Sequence, residues 1–375
     1  MPKKIPMRFP VLAACACAAA IALWPASDKK KKKEEETQTL QLPKDLPNAI
    51  AGETRRLLFY VTPLSGKGLL SAQIREALKA LMKETAGNQV LKIRAFTAGS
   101  GDLRRVRDLV SEIFTDRKQP LPVLSLIQSG GLPMEGAQVV LEAIAVGKKE
   151  VNPYGLVFLS PQAAVSANPL DPVAPLAAKS LDNLREALKA AGSEPSDVLR
   201  VTCFLSSLDN LAATRKLVET DYPRAAANYV QTQRAPNQSV GACEAVARLT
   251  WNTGTRLLLK NVEGAQTEPG ESQIAMVAAH HVVLTGTQVS FGYQEQDARL
   301  ALGRLQKALE GAGVGLADVA FAHFYPLSSG IANQVRKLRT SFFDSGHPPA
   351  GSTLLFEGLP SMDAGFAVDV VAVKE

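Results

Sequence analysis

Apolar runs of strand length alternate along this chain with stretches whose apolar residues recur at helical spacing. Leu57-Leu58-Phe59-Tyr60-Val61 is a continuous apolar run closed by Thr62-Pro63, which predicts a strand. Residues 71–86 place Ile74, Leu78, Leu81 and Met82 on one helical face. Residues 90–96 predict a second strand. Residues 102–114 predict a second helix with Leu103, Val106, Leu109, Val110 and Ile113 on one side. Leu126-Ile127 and residues 139–146 complete two more strands, so the order is β-α-β-α-β-β.

The same order returns twice. In the middle of the chain the strands fall at 156–159, 198–205, 242–249 and 256–262, with helices at 176–191 and 211–219. Residues 222–236 read there as a long polar insertion. The last third gives strands at 282–284, 319–325, 353–356 and 366–373, with helices at 297–309 and 331–343. The hexapeptide REALKA stands at both 75–80 and 185–190, and a looser copy, QKALEGAG, starts at Gln306. These starts lie 110 and 121 residues apart (75 to 185 to 306), a domain-sized period too long for a solenoid. The expected fold class is α+β, with three tandem domains at 52–149, 150–264 and 265–375 after a linker at 37–51. A sheet with both helices on one face needs a partner for the other. Three such sheets could close on one another as a pseudo-trimer within one chain.

Charge changes this picture little. Of 42 Lys/Arg and 36 Asp/Glu, eight and four precede Thr37, leaving 34 against 32 for everything after. No basic stripe is interleaved with aromatics, so no nucleic-acid partner is expected. Residues 1–36 read as a leader with a charged tether. Lys3, Lys4 and Arg8 precede an uncharged, Ala-rich run over 9–24, then Pro25-Ala26-Ser27. This layout predicts export to the periplasm or beyond. Leu12-Ala13-Ala14-Cys15 resembles a bacterial lipoprotein cleavage box, and Lys29 to Lys33 oppose translocation, so lipidation at Cys15 and a retained anchor stay open. Cys203 and Cys243 read as two buried free thiols; a disulfide would need their Cα atoms within about 7 Å.

Several segments together resemble a known family. VFLSPQ at Val157, DNLREALKAAGSEPSDVLRVTCFLSSLDNLAA from Asp182, CEAVARL at Cys243, LEAIAV at Leu141, VVLTGTQ at Val282 and VDVVAV at Val368 are similar to the reactive-intermediate deaminase (Rid, or YjgF-like) family. The resemblance covers 52–375, strongest in the second copy and weakest in the first. It implies a chorismate-mutase-like fold, normally assembled as a homotrimer with ligand clefts between subunits. It implies hydrolysis of reactive enamines and imines to ketoacid and ammonia, without metal or organic cofactor. In that chemistry an arginine within a Pro-x-Arg-Ser segment grips the substrate carboxylate, a bidentate task suited to guanidinium. A glutamate on the closing strand positions water.

The chain departs from the pattern at those residues. The matching frames are Pro122-Val123-Leu124-Ser125, Pro236-Asn237-Gln238-Ser239 and Pro349-Ala350-Gly351-Ser352, with Leu124, Gln238 and Gly351 in place of arginine. The water-positioning glutamate falls at Val140 and Ala367, and the second copy does not align there. Glu142 and Asp369, two residues on, are expected to face the other side of the strand. Losing such a contact costs a few kcal/mol (~2–5) of ligand binding. The expectation is therefore a degenerate, non-deaminating Rid-like protein that binds a small molecule or serves as a scaffold, with no confident catalytic residue. The cleft candidates are Leu124, Ser125, Gln238, Ser239, Gly351, Ser352 and Arg234. The alternative is a deaminase whose carboxylate anchor has moved to Arg234 or Arg224.

Other chemistry finds no footing. His280, His281, His323 and His347 have no metal-ligand spacing, and His323 in FAHFY reads as a core residue. Ser65-Gly66-Lys67-Gly68 follows Pro63 and reads as a turn, while Gly311 to Gly315 follows a helix and reads as its cap.

Overall fold

The computed structural model describes residues 43–99, 101–265 and 270–375. The leader, its tether and Cys15 lie outside the described residues. The first third contains β1 (Ala49–Glu53), β2 (Leu57–Val61), α1 (Leu70–Glu84), β3 (Gln89–Thr97), α2 (Arg104–Asp116), β4 (Val123–Gln128) and β5 (Val139–Val146). The middle third contains β6 (Leu156–Leu159), β7 (Ala164–Ser166), α3 (Val173–Ala190), β8 (Val198–Leu205), α4 (Leu211–Asp221), β9 (Ala226–Gln231), β10 (Ser239–Arg248) and β11 (Leu257–Lys260). The last third contains β12 (Ile274–Val277), β13 (His281–Thr285), β14 (Gln288–Phe291), α5 (Glu295–Gly311), β15 (Val319–Pro326), α6 (Ser329–Phe342), β16 (Ala350–Thr353) and β17 (Ala364–Lys374).

The chain is thus a mixed α+β protein with several sheets. Three sheets contain a common order of four strands, β2-β5-β3-β4, β6-β10-β8-β9 and β13-β17-β15-β16. In each, the last pair is parallel and the other two are antiparallel. Short strands extend two of them: β1 pairs with β13, and β12 pairs with β6 and carries β11.

Period-two patterning gives every central strand two apolar faces. One face packs under a helix pair: Ile74, Leu78 and Leu81 of α1 with Ile93 and Leu141; Leu181, Leu184 and Leu188 of α3 with Val201 and Ala245; Leu302, Leu305 and Leu309 of α5 with Ala322 and Val370. The opposite faces share a core. Leu91 and Ile144, Phe158 and Val246, and Phe321 and Val371 form one cluster drawn from all three sheets. Phe96, Phe204, Tyr325 and Phe356 form a second, with ring centroids 5.5–6.1 Å apart in four contacts.

Four expectations need correction. Residues 222–236 are not an insertion throughout: Ala226–Gln231 forms β9, parallel to β8, because β8 offers its free edge there. The strand expected at 353–356 is β16, three residues earlier, paired with β15. Glu142 and Asp369 do not face away from Val140 and Ala367, since residues two apart on a strand share a face. All four turn toward the common interior. Finally, Cys203 and Cys243 are bonded as a disulfide, directly opposite each other on β8 and β10 with Cα atoms 4.1 Å apart. The Cys243 N–H donates to Ser180 Oγ and its carbonyl accepts from Gln162 N–H. The pair is therefore a non-hydrogen-bonded one, the register in which opposed residues come closest.

Candidate functional site

Two places concentrate polar chemistry. The first is the shared interior, where charged residues sit in otherwise apolar strands. The registers place Arg94 beside Glu142 and Ser125, Thr202 beside Glu244 and Asn228, and His323 beside Asp369 and Ser352. The three carboxylates thus stand at one equivalent position of the three sheets. Each is served by the next sheet. Glu142 accepts from Thr202 Oγ1 and Asn228 Nδ2, both at 2.7 Å. Glu244 lies 3.4 Å from His323 Nε2. Asp369 meets Lys92 Nζ at 2.5 Å and accepts from Ser125 Oγ at 2.7 Å and, within its own sheet, from Tyr325 OH at 2.9 Å.

Two arginines close the circuit. Arg94 donates to Glu142 at 2.8 Å and to Glu244 at 2.6 Å, and Arg200 sits 3.4 Å from the same two carboxylates. Lys92, Arg94 and Arg200 therefore balance Glu142, Glu244 and Asp369, all of them buried. Burial alone would raise each carboxyl, but the neighbouring cations outweigh it and hold all three below the usual carboxylate range. A small cavity of about 20 Å³ beside Arg94, Arg200 and Glu244 has the size of a single water. Such a network uses its charges on itself. It supplies structure rather than a substrate-sized opening.

The second place is a cleft of about 1,080 Å³ between the β6–β7 connection and β16. Gln162, Gln233, Gln238, Glu271, Gly351 and Ser352 are among its walls. Of the residues singled out from sequence, Gln238, Gly351 and Ser352 come together here. The others do not. Ser125 is buried in the charged network. Leu124 uses its carbonyl to accept from Thr287 N–H, and Gly286 packs so closely on it that a Cβ would fall 2.8 Å from that oxygen. Ser239 is buried and donates to the Asp171 carbonyl. Arg234 is exposed, outside the cleft lining, with its Nε on the Gly130 carbonyl at 3.3 Å and its N–H on Glu357.

The registers also correct the second frame. The position equivalent to Ser125 and Ser352 is Asn228, so the one equivalent to Leu124 and Gly351 is Ala227, not Gln238. The proline of that frame was the misleading signal: Pro236 leads into β10, whereas the equivalent of β4 is β9.

No protein-family model matches the chain, and no curated protein does. Solved structures do match. A protein of unknown function of the Rid family from Yersinia pestis is 17% identical over 32% of this chain and 100% of its own, with a TM-score of 0.30. A YjgF/YER057c/UK114 family member from Mycobacterium tuberculosis is 20% identical over 32% of this chain and 99% of its own, with a TM-score of 0.24. A YjgF-family protein from Neisseria meningitidis is 16% identical over 32% and 95%, also at 0.24. The chain is similar to Rid/YjgF-family structures. Each Rid-family relative spans about a third of it.

Sequence reasoning missed the interior network, although its signal was present. Lys92 and Arg94 in QVLKIRAFT, Arg200 in VLRVTCFL and Glu244 in SVGACEAVAR are charges inside strands too apolar to be surface elements. Charges so placed need partners across the interior.

Proposed function

We infer that this chain is a non-deaminating Rid-like protein that binds a small molecule in the cleft between its second and third copies. The reading takes 52–149, 150–264 and 265–375 as three chorismate-mutase-like domains closed into an intramolecular pseudo-trimer. The common strand order and the interior shared by three sheets support it. So does the handing of each carboxylate to the next sheet. One observation carries the functional half: the position of the family's carboxylate-gripping arginine is Leu124, Ala227 and Gly351 in the three registers. None of these side chains can make a charge-assisted bond. A relocated anchor at Arg234 is not adopted, because that guanidinium is engaged by Gly130 outside the cleft.

Export remains part of the proposal. The leader motivates it, and the Cys203–Cys243 bond supports it, since disulfides persist in oxidising compartments. The functional test is ammonia release from a freshly generated 2-aminoacrylate-type imine, beside an arginine-bearing Rid protein as positive control. The reading expects no acceleration over buffer. Release near the control's rate would overturn it.

A further inference from the structure

The first strand of each copy, β2, β6 or β13, stands at the end of the common four-strand order and turns one edge outward. The chain itself fills two of these edges. β1, which precedes the first copy, pairs with β13, and β12, which precedes the third, pairs with β6. Both additions have the same register. Phe158 and Leu284 hold one position of the sheet, opposite Val246 and Val371 of the closing strands, and Ala275 and Ile50 lie across from them on the outer side. Two residues on, the N–H of Ser160 donates to the Gln273 carbonyl at 2.9 Å, and that of Gly286 to the Asn48 carbonyl at 3.0 Å.

β2 has no such neighbour among the described residues. By the same rule its cover would come from the segment ahead of β6. Gly52 and Val277 each stand five residues before the matching start of their own first strand, at Leu57 and Val282, so the corresponding segment ends at Val151. It reads Lys148-Lys149-Glu150-Val151, where β1 has AIAG and β12 has IAMV. The chain does not lay this segment along β2. Val146 ends β5 directly beside Leu57, and the connection then turns under the sheet end. There Gly147 N–H donates to the Arg56 carbonyl, Val151 N–H to the Arg55 carbonyl, and Asn152 Nδ2 to the Leu57 carbonyl at 2.9 Å. Thr62 N–H on the Leu141 carbonyl fixes the alternation of the β2–β5 ladder, so Phe59 and Val61 turn their main-chain groups outward. Among the described residues nothing bonds to them. The core records the missing cover. Phe158 and Leu284 are 4% and 0% exposed, whereas Phe59, at the same position, is only half-buried, as are Val146 and Leu199 of its cluster.

We propose that the β2 edge is a strand-addition site for a partner protein, which supplies an extended, uncharged segment of about four residues running antiparallel to β2. The two filled edges set its chemistry. Ile50, Ala275 and Val277 all face the shared core, so the incoming segment carries apolar side chains at alternate positions and main-chain bonds to Phe59 and Val61. A charge opposite Phe59 would be buried without a partner, which is why KKEV does not serve. This surface lies apart from the cleft, and the assignment does not depend on the cleft binding a ligand.

The probe is the chain's own 272–279, SQIAMVAA, as a capped peptide added to the full chain, with amide hydrogen exchange read at Phe59 and Val61. Millimolar peptide should slow both amides by about tenfold or more. The same peptide with Ala275→Pro lacks the N–H that would face the Phe59 carbonyl, and should slow them by less than about twofold. Only the peptide is altered, so folding of the protein is not at issue. Unchanged exchange with both peptides, or equal slowing by both, would overturn the proposal. So would slow exchange of these amides in the protein alone, which would mean that this chain already covers the edge. Slowing that rises with protein concentration in the absence of peptide would overturn it in favour of a second copy as the occupant.

Discussion

Replacing Lys92 by methionine isolates the bond that ties β3 of the first sheet to β17 of the third. Lys92 Nζ lies 2.5 Å from Asp369 Oδ1, with the two side chains 5% and 0% exposed. Stranding one partner of a buried ion pair costs about 3–5 kcal/mol, because the remaining charge keeps its desolvation penalty and loses its compensation. Asp369 would still accept from Ser125 and Tyr325 and lie 3.2 Å from His323 Nδ1. These donors place the expected loss at the lower end, about 3 kcal/mol. The double variant Lys92→Met/Asp369→Asn removes both charges and keeps an acceptor for Ser125 and Tyr325. It should lose only about 1 kcal/mol, since a buried pair replaced by neutral groups is often near neutral. The coupling between the two changes is then about 2 kcal/mol or more. Urea unfolding of the four proteins that complete the cycle, made as the chain from Pro43 onward, measures it. Additive losses would refute the reasoning, and so would a Lys92→Met loss under about 0.5 kcal/mol.

Three further outcomes follow from the same structure. Reducing the Cys203–Cys243 bond opens a loop of 40 residues, for which loop-closure entropy gives about 4 kcal/mol, so the urea midpoint should fall on adding a reductant; an unchanged midpoint with both thiols titratable would count against the bond. Glu142, Glu244 and Asp369 are held below their unfolded values near 4. Their stabilisation is therefore complete above about pH 5 and lost as the pH falls toward their folded values; unfolding followed from pH 6 to 3 should show the midpoint dropping, and less steeply for Asp369→Asn. Gly351→Ala places a methyl 2.8 Å from the Ala322 carbonyl oxygen and should cost about 1–3 kcal/mol, read by thermal unfolding.

How much of this was legible in the sequence depends on the kind of signal. Helices α1, α3 and α5 were readable because Ile74, Leu78 and Leu81 and their counterparts repeat at helical spacing, and the REALKA copies marked the period. Strands β2, β5, β6 and β8 came out with the bounds expected, since each is an apolar run with turn residues after it. β9 was lost because AANYVQ is short and polar, and its pairing with β8 is non-local. The cleft was partly legible: Gln238, Gly351 and Ser352 followed from their frames, whereas Ala227, the second copy's equivalent of Leu124 and Gly351, lies outside the cleft lining and required the register. Glu271 could not be anticipated, because only the fold brings it over Gly351. The disulfide is of the same kind: two lone cysteines become partners only once β8 and β10 are placed side by side.

The network and the cleft both rest on three sheets closing on one another within a single chain. Light scattering on the chain from Pro43 onward, over a range of concentrations, tests that closure most directly. The account predicts the mass of one chain at every concentration. A concentration-independent mass of three chains would contradict it, because the sheets would then be completing their interiors between molecules.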